Sequence, residues 1–289
     1  MRLVTFVSNG EPHIGAEGRK GVVDFAVIAP ELPRTMLALL AGGPQALEDA
    51  RAAADRAFAE GGKVIPSDRV RLLAPLPRPG KIFAIGLNYR DHALETGNPV
   101  PEAPIIFSKA VTAVIGPGAA IEIPLASAHI DYEGELAVVI GRAAKRVSRR
   151  DALRYVAGYT IMNDVTARDY QARSGHCVAK SFDTFAPMGP ALVTRDAIPD
   201  PSALELRTIV GGQPMQQSST GNLIFDVPAL IEYITAGVTL EPGDVISTGT
   251  PAGVGYRCDP PRFLTPGDTV RIEISQIGAL ENPVISAPP

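Results

Sequence analysis

The stretch that most constrains the fold is residues 130–141, IDYEGELAVVIG, because apolar and acidic side chains alternate along it. Apolar residues recur with period two on one face, which predicts a β-strand; they are Ile130, Tyr132, Leu136, Val138 and Ile140. The opposite face begins with three carboxylates and ends with two apolar residues; it consists of Asp131, Glu133, Glu135, Ala137 and Val139. Neighbouring carboxylates on one strand face repel one another, so their grouping needs a physical reason.

Two interpretations account for this acidic face. Side chains two residues apart on a strand lie about 6–7 Å apart, which allows two of them to bind one cation. Alternatively, the stretch is an exposed edge strand whose negative charge opposes aggregation. The stretch alone favours neither interpretation, and the choice depends on whether the rest of the chain supplies further ligands.

Composition narrows the class of protein. A chain of 289 residues with 45% hydrophobic and 20% charged residues is typical of a globular protein with one large domain, or one large and one small. The net charge of −4 gives no reason to expect a nucleic acid or an anionic membrane as partner. Two distant cysteines, Cys177 and Cys258, indicate neither a disulfide framework nor a zinc ribbon. With no signal peptide and no membrane span in the sequence, we expect a cytoplasmic protein.

A proline-rich stretch, LAPLPRPG at residues 73–80, is typical of a linker and predicts the domain boundary. We therefore expect a small N-terminal domain at residues 1–72 and a catalytic domain at residues 73–289. In the first, residues 2–7 and 21–28 are predicted to form strands, and residues 44–59 a helix that begins with Pro44.

After a predicted strand at residues 81–87, the sequence predicts a lid. Asp91 can cap a short helix that contains His92 and Glu95, which project from the same face at i and i+3. Glycine and three prolines then end this helix in an irregular loop, a combination that favours a mobile lid. The alternative interpretation of His92 and Glu95 is a surface ion pair on a short helix.

Further polar residues follow later strands. A predicted strand at residues 158–163 ends at Asp164, and a helix starting at Thr166 would place Arg168 and Gln171 about one turn apart. Lys180 opens a run, AKSFDTFAPMGPALV, whose prolines and glycine limit it to a loop or an edge strand.

The C-terminal third is predicted to be rich in strands. The segments LEPGDVI and LTPGDTV each contain Pro-Gly, which predicts two type II turns that join strands. Between them, STGTPAGVG lacks the Gly-Lys-Ser/Thr ending of a phosphate-binding loop, so we reject that interpretation. A loop that offers Thr250 and backbone amides to a substrate carboxylate is better supported.

The candidate residues together indicate a hard-cation site. Glu133, Glu135 and Asp164 stand at or near strand ends, and the sequence has only 4 histidines, so all-oxygen ligation would suit Mg²⁺ or Mn²⁺ rather than zinc or copper. Three carboxylates leave coordination positions open for a bidentate ligand. The basic residues nearby indicate an oxyacid substrate.

Five segments carry a resemblance to a known family. GLNYRDHALE, DYEGELAVVIG, NDVTARDYQ, KSFDTFAPMGP and TGTPAGVG, in this order and at these separations, resemble the fumarylacetoacetate hydrolase family over roughly residues 81–274. The resemblance implies a mainly β fold with short helices (α+β), in which a mixed β-roll or sandwich catalytic domain follows a small N-terminal domain. It also implies a homodimer. One departure is Lys109-Ala110, where many relatives have Lys-Pro.

The resemblance also assigns roles to residues of this sequence. It places the metal ligands at Glu133, Glu135 and Asp164. It places the acylpyruvase-type pair that activates water at His92 and Glu95. The remaining matches are substrate-side positions; they are Lys180, Arg168, Gln171 and Thr250.

These roles predict hydrolysis of a small 2-oxo acid. His92, oriented by Glu95, would deprotonate a water that attacks the C4 carbonyl of an acylpyruvate-type (2,4-dioxo) acid. The C3–C4 bond would break and pyruvate would leave as its metal-bound enolate, with Lys180 stabilising negative charge. The same enolate would serve oxaloacetate decarboxylation, or hydration or isomerisation of a 2-oxo-enoic dioate. A non-catalytic scaffold held by a cation is a further alternative, against which the open coordination positions count.

Overall fold

The computed structural model describes residues 1–288, and these are mainly β with short helices, as predicted. The strands are β1 (Arg2–Ser8), β2 (Glu11–Gly18), β3 (Gly21–Asp24), β4 (Val64–Ile65), β5 (Arg71–Leu73), β6 (Ile82–Gly86), β7 (Ile105–Lys109), β8 (Val114–Ile115), β9 (Ile121–Ile123), β10 (Ile130–Asp131), β11 (Gly134–Ile140), β12 (Val156–Asn163), β13 (Thr166–Ala167), β14 (Ala186–Thr194), β15 (Glu205–Val210), β16 (Gln213–Ser219), β17 (Val245–Ser247), β18 (Thr269–Ile274) and β19 (Gly278–Ser286). The α-helices are α1 (Phe25–Ile28), α2 (Met36–Ala41), α3 (Gly43–Ala59), α4 (Arg90–Thr96), α5 (Arg168–Ser174), α6 (His176–Ala179) and α7 (Val227–Gly237). Among residues 1–288, no helix is long and apolar enough to cross a membrane.

Strand β11 lies in the middle of the large sheet, whose order is β4-β3-β2-β1-β14-β12-β11-β17-β6-β7. All its residues are buried. Leu136, Val138 and Ile140 pack into one hydrophobic core, and Ala137 and Val139 into a second core on the other side. The predicted alternation is therefore confirmed, and the edge-strand interpretation is wrong because β12 and β17 flank β11.

The predicted strand at residues 130–141 is interrupted where its acidic residues begin. Ile130 and Asp131 form β10, which pairs with β13 instead of β12. The backbone N–H of Glu133 donates to the Asn163 side chain at 3.0 Å and so leaves the regular ladder. Asp131 is therefore on a different strand from Glu135 and lies outside the carboxylate group that follows it.

A second sheet has the order β16-β15-β18-β19-β9 and contributes to the same core as one face of β11. The two type II turns predicted by Pro-Gly form, but neither joins two strands, because α7 precedes the first and a 3₁₀ turn at Gly255–Arg257 precedes the second. Gly243 and Gly267 have φ of 87° and 96°, and in each turn the aspartate N–H bonds 3.0 Å to the carbonyl three residues earlier. Each turn leads directly into a strand, β17 or β18.

The strands of residues 1–72 continue the large sheet. Antiparallel pairing of β1 with β14 sets Arg2 opposite Val193, and side chains from α2 and α3 pack into the core beneath β11. The division at residues 72 and 73 stays a prediction. The predicted helix at 44–59 is confirmed as α3, but only half of the strand predicted at 21–28 forms. Asp24 accepts a 2.8 Å bond from the Ala26 N–H, which starts α1.

Candidate active site

Three carboxylates meet where β11 begins and β12 ends. Antiparallel pairing sets Gly134 opposite Asn163, and the Asp164 N–H donates to the Glu133 carbonyl at 2.9 Å. One ligand oxygen from each of Glu133, Glu135 and Asp164 lies within 4.8 Å of the others, and all three residues are buried. The structure thus brings together the three residues that the sequence analysis singled out as metal ligands.

Two buried lysines contact this triad. Lys180 Nζ donates to Glu133 Oε2 at 2.6 Å and to Asp164 Oδ2 at 2.8 Å, so it points into the carboxylates. Lys109 Nζ donates to Asp164 Oδ1 at 2.5 Å and also to the backbone carbonyl of Lys180. We did not predict a site role for Lys109. Lys109 is the one buried residue of β7, and no local pattern in IIFSK marks it.

The two glutamates differ in their electrostatic environment. Burial opposes ionisation of Glu133, but the charges of Lys180 and Arg168 outweigh burial and lower the pKa of its carboxyl to about 2. Burial raises the pKa of Glu135 well above its ordinary value, and the negative charges of Asp164 and Glu133 act in the same direction. Ser247 Oγ and the Gly249 N–H both donate to Glu135 Oε2, at 2.6 Å and 2.9 Å.

This donor set fits a hard divalent cation. Three buried carboxylates whose ligand atoms lie within 4.8 Å of one another form an all-oxygen donor set. Carboxylate oxygens are the ligands that Mg²⁺ and Mn²⁺ prefer. Glu133, Glu135 and Asp164 are therefore the residues that would hold such a cation.

Helix α4 places a histidine opposite the triad. His92 Nδ1 lies 2.8 Å from Glu95 Oε2, and His92 is only 8% exposed, so the surface-pair interpretation does not describe it. Asp91 is not the cap, because Tyr89 precedes the helix; Asp91 lies in the first turn and accepts from the His92 N–H at 2.8 Å. Its other oxygen accepts from Ser218 Oγ at 2.6 Å, which fastens the helix to β16.

Arg168 begins α5, two residues later than predicted, because Thr166 and Ala167 pair with β10. Arg168 Nη1 donates to Gln171 Oε1 at 3.0 Å, so the predicted one-turn spacing is confirmed. Arg168 Nη2 is buried and lies 2.7 Å from an oxygen of Glu133, at an angle too oblique for a hydrogen bond. The same nitrogen lies 2.7 Å from Asp131 Oδ2, so it sits between two carboxylates beside the triad.

Thr250 differs from the other predicted residues. Its hydroxyl donates to the Gly134 carbonyl at 3.0 Å and accepts from Gln216 Nε2 at 2.8 Å. The hydroxyl proton is thus directed at the protein backbone. A contact of this hydroxyl with a substrate carboxylate stays a prediction, and donation to a substrate would require the bond to Gly134 to break.

One cavity of about 420 Å³ contains most of these groups. His92, Glu133, Arg168, Gln171, Lys180 and Thr250 line it. Apolar residues form much of the rest of the wall; they are Ile85, Leu87, Pro99, Pro101, Ile105 and Phe107. A cavity of about 500 Å³ elsewhere lies at the far ends of β11, β12 and β14 and contains none of the triad, so we place the active site in the smaller one.

Two lining residues were missed in the sequence. His176 stacks on Phe107 with ring centroids 4.9 Å apart, and burial together with the charge of Lys180 lowers the pKa of its imidazole. The Tyr256 ring lies 4.3 Å from Arg168 Cζ. Neither residue stands in a pattern that distinguishes it from ordinary loop or helix residues, so no local signal marks them.

Comparison with known proteins gives consistent matches. Residues 81–285 match the family model described as the fumarylacetoacetate (FAA) hydrolase C-terminal domain. The chain is 45% identical over 291 residues to "Oxaloacetate tautomerase Fahd2a, mitochondrial" of Rattus norvegicus, covering 99% of this chain and 92% of the relative.

Solved structures share the fold over almost the whole chain. A maleylpyruvate hydrolase from Sphingobium sp. SYK-6, in complex with manganese (II) ion and pyruvate, superposes with a TM-score of 0.83 at 30% identity, covering 100% of both chains. A 5-carboxymethyl-2-hydroxymuconate delta-isomerase from Mycobacterium smegmatis gives a TM-score of 0.78 at 38% identity, covering 99% of this chain and 100% of that one. One fold thus carries relatives with three differently named activities.

Proposed function

This chain belongs to the fumarylacetoacetate hydrolase family, and on that premise we propose that it is a divalent-metal-dependent enzyme that hydrolyses the C3–C4 bond of an acylpyruvate-type acid and releases pyruvate. The observation that carries this proposal is the position of His92. Its imidazole, paired with Glu95, faces the same cavity as Glu133 of the carboxylate triad. A base opposite a cation site is the arrangement that activated-water chemistry needs.

The proposed cofactor is Mg²⁺ or Mn²⁺, held by Glu133, Glu135 and Asp164. Their ligand oxygens all lie within 4.8 Å of one another, which supports this assignment. The manganese bound to the maleylpyruvate hydrolase relative supports it as well. When bound, such a cation stabilises the negative charge that develops on the 2-oxo group of a substrate.

The chain's own residues supply the remaining steps. Arg168 and Gln171, which both line the cavity and contact each other, orient the substrate carboxylate. Glu95 accepts the Nδ1–H of His92, which leaves Nε2 free to take a proton from water. The resulting hydroxide attacks C4, the adduct collapses with cleavage of C3–C4, and the electron pair stays on C3. Protonation of C3 completes pyruvate, and the acyl group leaves as a carboxylic acid.

The shape of the cavity supports a substrate that extends beyond C4. The cavity has a volume of about 420 Å³ with α4 in its docked position. Hydrogen bonds that Asp91 and Glu95 accept from a neighbouring strand and loop hold α4 there. The cavity has an apolar wall that includes Ile85, Ile105 and Phe107. The Phe107 ring centroid lies 5.3 Å from Lys180 Nζ. An acyl tail with apolar carbons would bury against this wall, whereas the C4 carboxylate of oxaloacetate would lose hydration there.

A second candidate is interconversion of the enol and keto forms of oxaloacetate. The 45% identity over 99% of this chain to a protein named oxaloacetate tautomerase supports it. This reaction moves a proton at C3 and needs no attack by water. Negative charge would also develop on the 2-oxo group during decarboxylation of oxaloacetate, or during hydration or isomerisation of a 2-oxo-enoic dioate. Among these reactions, the isomerase relative favours isomerisation.

A substrate panel tests these candidates. The protein is assayed with Mg²⁺ or Mn²⁺ against acylpyruvates, enol-oxaloacetate and enoic dioates, with pyruvate release and enol absorbance as separate readouts. We expect pyruvate from acylpyruvates, loss of that activity in Glu133→Ala and Asp164→Ala, and unchanged circular dichroism in both variants. Enol–keto conversion without pyruvate release from any acylpyruvate would overturn hydrolysis in favour of the second candidate.

A histidine variant separates the two chemistries. His92→Ala should abolish pyruvate release from acylpyruvates but preserve much of any oxaloacetate decarboxylation, since that reaction requires no activated water. Equal loss of both activities would contradict the role proposed for His92.

We also propose a cytoplasmic location; the rat relative, by contrast, is named mitochondrial.

A further inference from the structure

Asp131 is a buried carboxylate that the proposed mechanism does not use. It is 0% exposed and lies outside the cation triad, although only two residues separate it from Glu133. A buried carboxylate is tolerated only where donors surround it. The donors around Asp131 come from two different parts of the cavity wall, and this makes its position informative.

One set of donors belongs to α5. Arg168 Nε donates to Asp131 Oδ2 at 2.8 Å, and Arg168 Nη2 lies 2.7 Å from the same oxygen. Asp131 therefore fixes the orientation of the guanidinium that we assign to the substrate carboxylate. It does so without lining the cavity itself.

The other set belongs to residues 253–257, which we call the latch loop. The Gly255 N–H donates to Asp131 Oδ1 at 2.8 Å, and the Tyr256 N–H donates to Asp131 Oδ2 at 3.1 Å. A Cβ on Gly255 would lie 2.6 Å from Asp131 Oδ1, so only glycine allows this approach. The Tyr132 hydroxyl donates to the Gly253 carbonyl at 3.0 Å and holds the start of the loop.

The latch loop in turn holds the water-activating pair. The Gly253 N–H donates to Glu95 Oε1 at 2.8 Å, and Arg257 Nη2 donates to the Glu95 backbone carbonyl at 2.5 Å. Glu95 Oε2 is the oxygen that contacts His92. Both oxygens of Glu95 are thus committed, one to the loop and one to the imidazole.

These contacts form one continuous path, and we propose that Asp131 is a positioning residue that couples Arg168 to the His92–Glu95 pair through the latch loop. The proposal rests on the proposed function, because it assumes that His92 activates water. Its consequence is that docking of α4 and the orientation of Arg168 depend on one carboxylate. A displacement of about 1 Å at a catalytic group costs roughly a hundredfold in rate, so a positioning residue can affect kcat strongly.

Asp131→Asn tests the path with little change in shape. Asp131 Oδ1 accepts from the Gly255 N–H and also from the Tyr132 N–H at 2.9 Å, and Oδ2 accepts from Arg168 Nε and the Tyr256 N–H. The amide has one acceptor oxygen, so one of these two pairs of donors would face an NH₂ group. We expect hydrogen exchange of residues 90–97 to rise at least severalfold, and kcat for acylpyruvate hydrolysis to fall about 10- to 100-fold. The Kd for Mn²⁺, measured by calorimetry, should change less than about threefold, because Asp131 is outside the triad.

Two further variants keep the test decisive. Tyr132→Phe removes only the bond to the Gly253 carbonyl, so it should raise exchange of residues 90–97 by a smaller factor and leave Arg168 untouched. In Asp131→Asn combined with Glu95→Gln, kcat should fall little below that of Glu95→Gln alone, because both changes act on one path. Should Asp131→Asn fail to fold, Tyr132→Phe carries the test alone.

Unchanged exchange of residues 90–97 in both single variants would overturn the coupling, and so would fully multiplicative losses in the double variant. The exchange measurement needs no substrate. If the wild-type protein released no pyruvate from acylpyruvates, the proposed function would fail while the coupling of Asp131 to α4 could still be confirmed or overturned.

Discussion

At the scale of single residues, the Asp164 carboxylate accepts hydrogen bonds from two buried lysines, Lys109 and Lys180. Lys109 Nζ lies 2.5 Å from Asp164 Oδ1, and the two side chains are 0% and 1% exposed. We expect Lys109→Met to lower the free energy of unfolding by about 3 kcal/mol without metal, since it leaves a buried carboxylate short of positive charge. Saturating Mn²⁺ should reduce this loss, because the cation replaces the missing charge. Urea unfolding with and without Mn²⁺ measures both values.

Lys81→Met provides the matched control for that prediction. Lys81 Nζ also pairs with a buried carboxylate, at 2.7 Å from Asp244 Oδ2, but in a turn that precedes β17 and outside the triad. Its stability loss should be the same with and without Mn²⁺. If saturating Mn²⁺ left the loss in Lys109→Met unchanged as well, a cation bound beside Asp164 would be contradicted.

A second residue-scale prediction concerns His176, which extends the apolar wall by stacking on Phe107. His176→Ala should raise KM about tenfold for acylpyruvates with long acyl tails, because roughly 1.4 kcal/mol of apolar contact is lost. Acetylpyruvate, which has no tail to reach this wall, should be affected little. Steady-state kinetics over a series of acyl lengths gives the comparison. Leu125→Ala serves as control, since Leu125 is 82% exposed and does not line the cavity; equal KM increases for all acyl lengths would contradict the assignment.

The sequence predicted some site residues and could not have predicted others. Glu133 and Glu135 were visible because charge on a strand with an apolar opposite face is costly, and Asp164 because it directly follows another strand. His176 and Tyr256 were not visible, because only the packing of α6 on β7 and of the latch loop on Arg168 brings them to the cavity. The direction of the Thr250 hydroxyl was equally inaccessible, since its partner Gly134 is 116 residues away in the chain.

At the scale of elements, the aspartate that ends a Pro-Gly turn stabilises that turn. In the second turn, Asp268 accepts from the Thr265 N–H at 2.7 Å and from Arg262 Nη2 at 2.6 Å. Burial opposes ionisation of Asp268, but the bonds from Arg262 and Thr265 outweigh burial and lower the pKa of its carboxyl. A carboxyl with a lowered pKa stabilises the folded state above its unfolded pKa of about 3.9, and this contribution is lost as pH falls through the folded pKa.

Asp268→Asn should therefore lower the free energy of unfolding by about 1 kcal/mol at pH 7, since the amide keeps the turn bond but loses the charge that pairs with Arg262. The difference from wild type should shrink as pH falls below about 4, where the wild-type carboxyl also becomes neutral. Urea unfolding at pH 7 and pH 3 measures it. Asp68→Asn, at an exposed residue, should have no effect at either pH. A difference that stays constant between pH 7 and pH 3 would contradict the electrostatic origin.

Elements were predicted best where the periodic pattern was long, and worst where side chains bind the backbone locally. Strand β12 and helix α3 form close to their predicted ranges. After Ser148 the chain forms only one 3₁₀ turn, at Ala152–Tyr155, because Ser148 bonds to the Asp151 side chain at 3.0 Å and neither caps a longer helix. Interruptions such as the one between β10 and β11 depend on partners such as Asn163, which no local pattern shows.

At the scale of the whole molecule, large apolar side chains remain exposed on elements that border the cavity. Leu94 on α4 is 83% exposed, Val100 in the loop that follows is 57% exposed, and Val178 on α6 is 52% exposed. Helices α4 and α6 also contribute His92 and His176 to the lining of the cavity. Apolar groups in such positions are typical of surfaces that a partner covers.

We propose that a second copy of this chain covers these side chains, in keeping with the homodimer expected from the family. Light scattering after size exclusion should give about twice the 30.4 kDa mass of one chain. Leu94→Glu combined with Val178→Glu should shift the mass toward that of one chain, because two buried carboxylates without partners would each cost several kcal/mol at an interface. Val27→Glu is the control, since Val27 is 48% exposed on α1, a helix that packs against β2. A wild-type mass of 30.4 kDa would contradict the dimer, and a dimer that survives the double substitution would place its interface elsewhere.

Because the proposed interface includes the lid, the dissociated variant should also show faster hydrogen exchange in residues 90–97, which links assembly to the docking of α4.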